Sequence, residues 1–309
     1  MKLQKNAQSY LLIILGATLW GIISIFVKGL YNLGFNALEV VFIRVFSASL
    51  ILIVYIIFTN KDLLKINFKD IFYFIGTGVF SIVFFNWCYF TAMNLIPLSV
   101  ASILLYTAPA FVTILSAIVF KERITKRKVL SLLLTFIGCI FVTGYFPNTG
   151  GKITLLGLLV GIGSGFGYAL YSIFGKAAMK KYDSITITVY SFIVASISLI
   201  PLINLKNMVS LFDNVQAYGY AIALGLFPTV LAFISYTKGL ENIESSKASI
   251  IATIEPVVAS IIGMVVFKQV LSFYQILGIL IVIMAIFIVS EKNKNHKKKA
   301  RHRALKTNV

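Results

Sequence analysis

The sequence predicts an all-α integral membrane protein: ten transmembrane helices arranged as two inverted five-helix repeats. Three observations carry that expectation. The first is an internal echo. Residues 99–121 return without a gap as residues 246–268, so that Ser99 and Ser246, Ala101 and Ala248, Ser102 and Ser249, Pro109 and Pro256, Phe120 and Phe267, and Lys121 and Lys268 coincide. The second is composition. Of 309 residues, 59% are hydrophobic and 12% charged, which argues against soluble globular classes. The apolar stretches also run unbroken for about 20 residues, the length a helix needs to cross roughly 30 Å of hydrocarbon. An outer-membrane barrel would alternate polar and apolar residues over segments of about ten instead. The third is the placement of Lys and Arg.

In chain order the predicted spans are 10–31, 37–58, 69–91, 98–120 and 128–146, then 153–176, 184–203, 216–237, 247–267 and 272–290. The first follows Lys2 and Lys5, as a signal peptide would. It is too long for a signal-peptide core and shows no small-residue cleavage site, so it reads as an uncleaved span. Connections are short, and only the one around Asn204–Val215 has room for a small interfacial turn. One side collects Lys2, Lys5, Lys61, Lys65, Lys69, Lys121, Arg123, Lys126, Arg127, Lys128, Lys176, Lys180, Lys181, Lys238, Lys247 and the basic tail. The other has Lys28, Lys152, Lys206 and Lys268. Ten spans reproduce this alternation, whereas nine or eleven scramble it, and the positive-inside rule places both termini in the cytoplasm.

The repeats cover 1–147 and 148–291, joined by a turn-rich external loop at 146–152, with a basic cytoplasmic tail at 292–309. Five spans per half is an odd number, so the second half enters the membrane upside down. The echo reaches the first span of each half, where Trp20, Ser24 and Lys28 align with Tyr168, Ser172 and Lys176. Inverted repeats are a device of secondary transporters, whose halves exchange conformations around a midplane site. The net charge of +18 lies in connections and tail, which argues against a nucleic-acid partner. Cys88 and Cys139 lie alone in apolar stretches and read as small hydrophobes. His296 and His302 sit in the tail, leaving no His within the membrane.

Glu255 is the one acidic side chain well inside a span. At that depth it costs at least about 2.5–3.5 kcal/mol, so it should face a cavity or a partner. It is either a carboxylate for a substrate amine or a coupling proton, or a group hydrogen-bonded beside the backbone gap at Pro256. Ala108 takes the same place in the other copy. Arg44 lies on the order of 10 Å deep at about 1.5 Å per residue. It binds a substrate carboxylate, pairs with Glu255, or snorkels outward. Trp20, Ser24, Tyr168, Tyr171 and Ser172 occupy corresponding faces suited either to an organic substrate, cation–π contact included, or to ordinary helix packing. Asn86, Tyr89, Ser235 and Tyr236 are further candidates for the same cavity. Ser102, Tyr106, Thr113 and Ser116, like Ser249, Thr253 and Ser260, form polar stripes beside the kinks expected at Pro109 and Pro256. Gly157, Gly161, Gly163, Gly165 and Gly167 fit no phosphate-binding frame and read as a close-packing or flexible segment. No Asp-x-x-Asp, His-x-x-Glu-His or Ser/His/Asp grouping is present, so no catalytic residue, metal or cofactor is expected.

The pattern Ala101-Ser-Ile, Pro109 and Phe120-Lys-Glu122, followed by Gly138, and its echo Glu255-Pro-Val with Phe267-Lys-Gln269, resembles the drug/metabolite transporter superfamily. Within it, the chain resembles the ten-span EamA-type permeases, Trp20-Gly21 and Arg44-Val-Phe included; Gln269 departs from the usual glutamate. The resemblance implies a bacterial inner-membrane permease whose cavity is lined mainly by spans one, three, four, six, eight and nine, with five and ten peripheral. It implies export of amino acids or related small metabolites, with organic-cation or drug efflux as the alternative. A lipid or cell-wall enzyme, or a channel, is the reading from other classes. The partners expected are a small-molecule substrate and the lipid bilayer, with protons a candidate coupling ion and a homodimer an open alternative.

Overall fold

The structure, a computed structural model, describes residues 2–144 and 153–291, with side chains from residue 6 onward. The join at 146–152 and the basic tail therefore lie outside the described residues, as do His296 and His302. Every regular element described is helical. We number the long helices α1 (Asn6–Asn32), α2 (Ala37–Thr59), α3 (Phe68–Leu95), α4 (Leu98–Val119), α5 (Lys126–Val142), α6 (Leu155–Ala178), α7 (Ser184–Leu202), α8 (Val215–Gly239), α9 (Ser245–Val265) and α10 (Phe273–Ser290). By length and composition nine of these can cross a membrane, and α5, at 17 residues, falls one turn or so short of the usual span. The chain is a multi-pass helical membrane protein. The loop with room for an interfacial turn holds a short helix, Leu205–Leu211.

Local chemistry sets the helix ends. Asn36 and Glu39 close a reciprocal capping box at α2, with bonds of 2.9 and 3.0 Å, and Ser272 with Gln275 does the same at α10. Both proline sites break their helices. α4 divides into Leu98–Leu105 and Ala108–Val119 around Tyr106 and Thr107, and α9 into Ser245–Ala252 and Ile254–Val265 at Thr253. Proline lacks the N–H and its ring crowds the carbonyl four residues back, so the turn before it opens. Both helices also stop alike. Lys121 and Lys268 have φ of 56° and 57°, the two non-glycine residues with positive φ among those described. The following amides reach back six residues, Glu122 to the Ser116 carbonyl and Gln269 to the Gly263 carbonyl.

Contacts between connections sort them into two sets. In one, the Asn67 amide donates to Tyr182 Oη, Lys181 meets Asp70 at 2.6 Å, Arg127 meets Glu291 and Asn242 donates to Ser9. Glu122 belongs to the same set, accepting from the Ser245 amide at 2.7 Å and from the Ser246 amide and hydroxyl at 3.2 and 2.6 Å. In the other, Asn207 donates to Glu39, Thr154 to the Leu95 carbonyl and Gln275 to the Val142 carbonyl, while Lys28 lies over the Phe267 ring. Successive connections alternate between the sets.

α5 and α10 pack on each other at a glycine crossing: a Cβ at Gly278 would lie 2.6 Å from the Val142 nitrogen and 2.8 Å from the Gly138 oxygen. The glycine-rich face of α6 seats likewise against α4 at Leu104 and Thr107 and against α3 at Phe84 and Phe85. Cys88 and Cys139 are buried and free. α3 and α8 each contain a wider π-wound segment, Gly76–Val83 and Leu226–Leu231. π-wound turns are frequent where a helix is bent to a task. These two flank the site.

Candidate functional site

A cavity opens among the middle turns of α1, α2, α3, α6, α7, α8 and α9. It encloses about 680 Å³ of empty space, its open mouth included. Its wall brings together Trp20, Arg44, Asn86, Tyr168, Tyr171, Ser172, Tyr236 and Glu255, all candidates from the sequence. The structure does not place Ser24, Tyr89, Ser102, Tyr106 or Thr253 in that lining. Tyr89 Oη and Ser102 Oγ hydrogen-bond each other at 2.9 Å, joining α3 to α4. Tyr106 packs with Cys139 and Val257, and Thr253 donates to its own helix at the Ile250 carbonyl. Pro109 and Pro256 are buried just beyond the helix breaks.

Seven of the sixteen residues of the wall are aromatic. Trp20 meets Phe233 edge-on at 5.1 Å and Tyr168 at 6.1 Å, and its indole N–H is buried with no partner among the described residues. Tyr171 bonds Thr237 at 2.9 Å and Ser172 bonds Tyr236 at 2.8 Å, knitting α6 to α8. Asn86 donates to the Ile82 carbonyl, leaving its own oxygen without a partner among the described residues.

One basic and one acidic side chain, Arg44 and Glu255, interrupt this wall. Tyr168 Oη donates to Glu255 Oε2 at 3.3 Å, and no other hydrogen bond reaches that carboxylate among the described residues. Arg44 Nε donates to Thr229 Oγ1 at 3.0 Å and Nη2 to the Pro228 carbonyl at 3.2 Å, with the Phe233 ring 5.5 Å from the guanidinium. Arg44 and Glu255 face one cavity without forming an ion pair. Each is half-buried. An ionisable group at this depth is costly to leave without a partner, and the contents of the cavity, water or solute, lie where they can supply one to each.

A model of the EamA-like transporter family matches the chain twice, over residues 7–144 and 155–291. The chain belongs to the EamA-like transporter family. A relative from Archaeoglobus fulgidus, described as an uncharacterized transporter, is 30% identical over 277 residues, covering 89% of this chain and 94% of its own. The uncharacterized transporter YyaM of Bacillus subtilis is 25% identical over 262 residues, covering 79% and 81%. A crystal structure at 17% identity superposes with a TM-score of 0.75, covering 91% of this chain and 96% of its own, a likeness of fold. The EamA-like chain is thus a membrane transporter.

Against the layout the resemblance implies, α2 and α7 enter the wall through Val41, Arg44, Val45 and Phe192, while α4 does not. The reason is packing: α4 is spent on its neighbours, Ser102 on Tyr89 of α3, Tyr106 on Cys139 of α5 and Val257 of α9, and Leu104 and Thr107 on Gly161 and Gly165 of α6. Ile23, Ser81, Phe85, Phe192, Thr229 and Phe233 went unremarked in the sequence, Thr229 as the partner that grips Arg44 and the others as wall. The one available signal was Pro228, one of four prolines inside predicted spans with Pro109, Pro201 and Pro256, which marked a break in the backbone hydrogen-bond ladder beside the site.

Proposed function

We propose that this EamA-like protein is a secondary permease of the bacterial inner membrane that exports amino acids or related small metabolites by alternating access. One observation carries the reading: Arg44 and Glu255, unpaired with each other, face a single aromatic-walled cavity at mid-helix. A zwitterion would answer both groups, its carboxylate at the guanidinium and its ammonium at the carboxylate beside Tyr168, with aromatic faces for the remainder. The alternation of connections between two sets, with five long helices on each side of the join, supports inverted halves and ten crossings. In this mechanism broken α4 and α9 act as gates, and the Lys and Arg bias holds both termini in the cytoplasm. Protons are the proposed coupling ion, with Glu255 exchanging between proton and substrate amine.

Organic-cation efflux is the second reading, favoured by a carboxylate inside an aromatic cage. Reconstitution in liposomes separates the two. Saturable uptake of a labelled amino acid, accelerated by unlabelled amino acid inside, is the expected result. Glu255→Gln then reduces amino-acid exchange about tenfold or more, the loss of one desolvated charge pair. Cation exchange that Glu255→Gln abolishes, with no amino-acid counterflow in wild type, would replace this cargo with the second. Flux that neither saturates nor shows counterflow would point to a channel.

A further inference from the structure

The grip on Arg44 comes almost entirely from one short run of a neighbouring helix. Thr229, fully buried, uses its hydroxyl twice, donating to the Leu224 carbonyl five residues back at 2.7 Å and accepting from Arg44 Nε at 3.0 Å. The Pro228 carbonyl takes Nη2, and Phe233, about one turn on, lies across the guanidinium. The π-wound Leu226–Leu231 makes this arrangement available. A wider turn detaches carbonyls from the regular ladder, and the N–H that Pro228 lacks leaves the Leu224 carbonyl to the Thr229 hydroxyl.

We infer that the π-wound segment of α8 is a socket that aims Arg44 at a carboxylate in the cavity, with Thr229 as its positioning residue. A guanidinium has five N–H donors, of which the socket takes two, one at Nε and one at Nη2. Three remain, two of them on Nη1, which has no partner among the described residues. That end of the fork can grip a carboxylate in paired, parallel hydrogen bonds. A snorkelled arginine would reach along its own helix toward the interface. Arg44 instead reaches sideways, across to α8.

The seam between helices does not itself require a charge. In the other half, the π-wound Gly76–Val83 of α3 meets α7 through a hydroxyl pair, Thr77 Oγ1 with Ser191 Oγ. A neutral contact does there what Arg44 and Thr229 do here, so the guanidinium is surplus to joining the helices. The inference rests on the cavity being the cargo site, as proposed above, and adds the element that sets its preference for carboxylates.

The test is binding to the purified full-length protein in detergent, with leucine, leucinamide (amine only) and 4-methylpentanoate (carboxylate only) as probes. Thr229→Val keeps shape and removes the hydroxyl; Thr229→Ser keeps the hydroxyl. Monodispersity and thermal midpoint confirm that each variant folds. Thr229→Val is expected to weaken leucine and 4-methylpentanoate about tenfold, near 1.4 kcal/mol, while leucinamide stays within about twofold. Thr229→Ser restores carboxylate binding. Equal weakening of all three probes, or none, overturns the socket and leaves the cargo reading standing. Thr229-dependent binding of 4-methylpentanoate without any binding of leucine keeps the socket and removes the amino-acid cargo. Wild-type protein that binds neither carboxylate overturns both.

Discussion

Glu122 shows how one side chain holds two distant segments. It lies between α4 and α5 yet accepts three hydrogen bonds at the start of α9, with Lys176 at 3.4 Å and Lys128 at 3.7 Å. A carboxylate at a helix N-terminus also answers the exposed amides there. Burial pushes its acidity toward the neutral form, but the Ser246 hydroxyl, the Lys176 charge and the Ser245 and Ser246 amides outweigh burial, leaving it below the usual carboxylate range. A lowered folded value stabilises above the ordinary glutamate value and loses that contribution as pH falls through the lowered one. Glu122→Gln should cost about 1.5–3 kcal/mol at neutral pH, the usual worth of bonds to a charged group. The gap in thermal midpoint between wild type and variant should narrow as pH drops below about 4.3. A gap constant with pH would count against the clasp. Gln269, at the repeated position, is exposed and folds back beside Gly263 in its own helix, so the two ends of the repeat are held differently. That Glu122 and Gln269 occupy matching places was legible in the sequence. That only Glu122 is engaged was not, because Ser245 and Ser246, which supply its bonds at α9, lie more than a hundred residues away.

At the scale of elements, prolines announced themselves and wider turns did not. Pro109 and Pro256 break α4 and α9 through a missing N–H, a property of the residue itself. The π-wound segments of α3 and α8 have no comparable sequence signature, and they decide which faces turn inward. An extra residue in one turn rotates everything after it by on the order of a quarter turn relative to a regular helix, where each residue covers about 1/3.6 of a turn. This is how Thr229 and Phe233 reach Arg44 while escaping a regular helical wheel. Away from the site, α5 and α10 depend on their glycine crossing. Gly278→Leu drives a side chain into the Val142 backbone and should lower stability by about 1–3 kcal/mol, the usual cost of overpacking. Its thermal midpoint in detergent should fall, with cargo affinity in surviving protein unchanged because neither helix lines the cavity. An unchanged midpoint would mean that the pair separates without cost.

For the whole molecule, orientation is the prediction that bears most weight. Tags at either end should report the same, cytoplasmic side, and single cysteines in the connections should label alternately from inside and outside. Opposite faces for the two termini would remove the inverted halves and the alternating-access mechanism with them. The number of apolar segments, their order, the duplication and the basic bias could all be read directly from the chain. Lipid offers backbone groups no hydrogen-bond partners, so each crossing must close its own bonds as a helix, a local requirement that composition and length reveal. The cavity is another matter. Trp20, Tyr168 and Glu255 could be nominated singly, but their meeting, the exclusion of α4 from the wall and the grip of Thr229 on Arg44 depend on how each helix is rotated, tilted and locally rewound against its neighbours. Those angles are settled by packing between side chains remote in sequence, and tertiary structure alone records them.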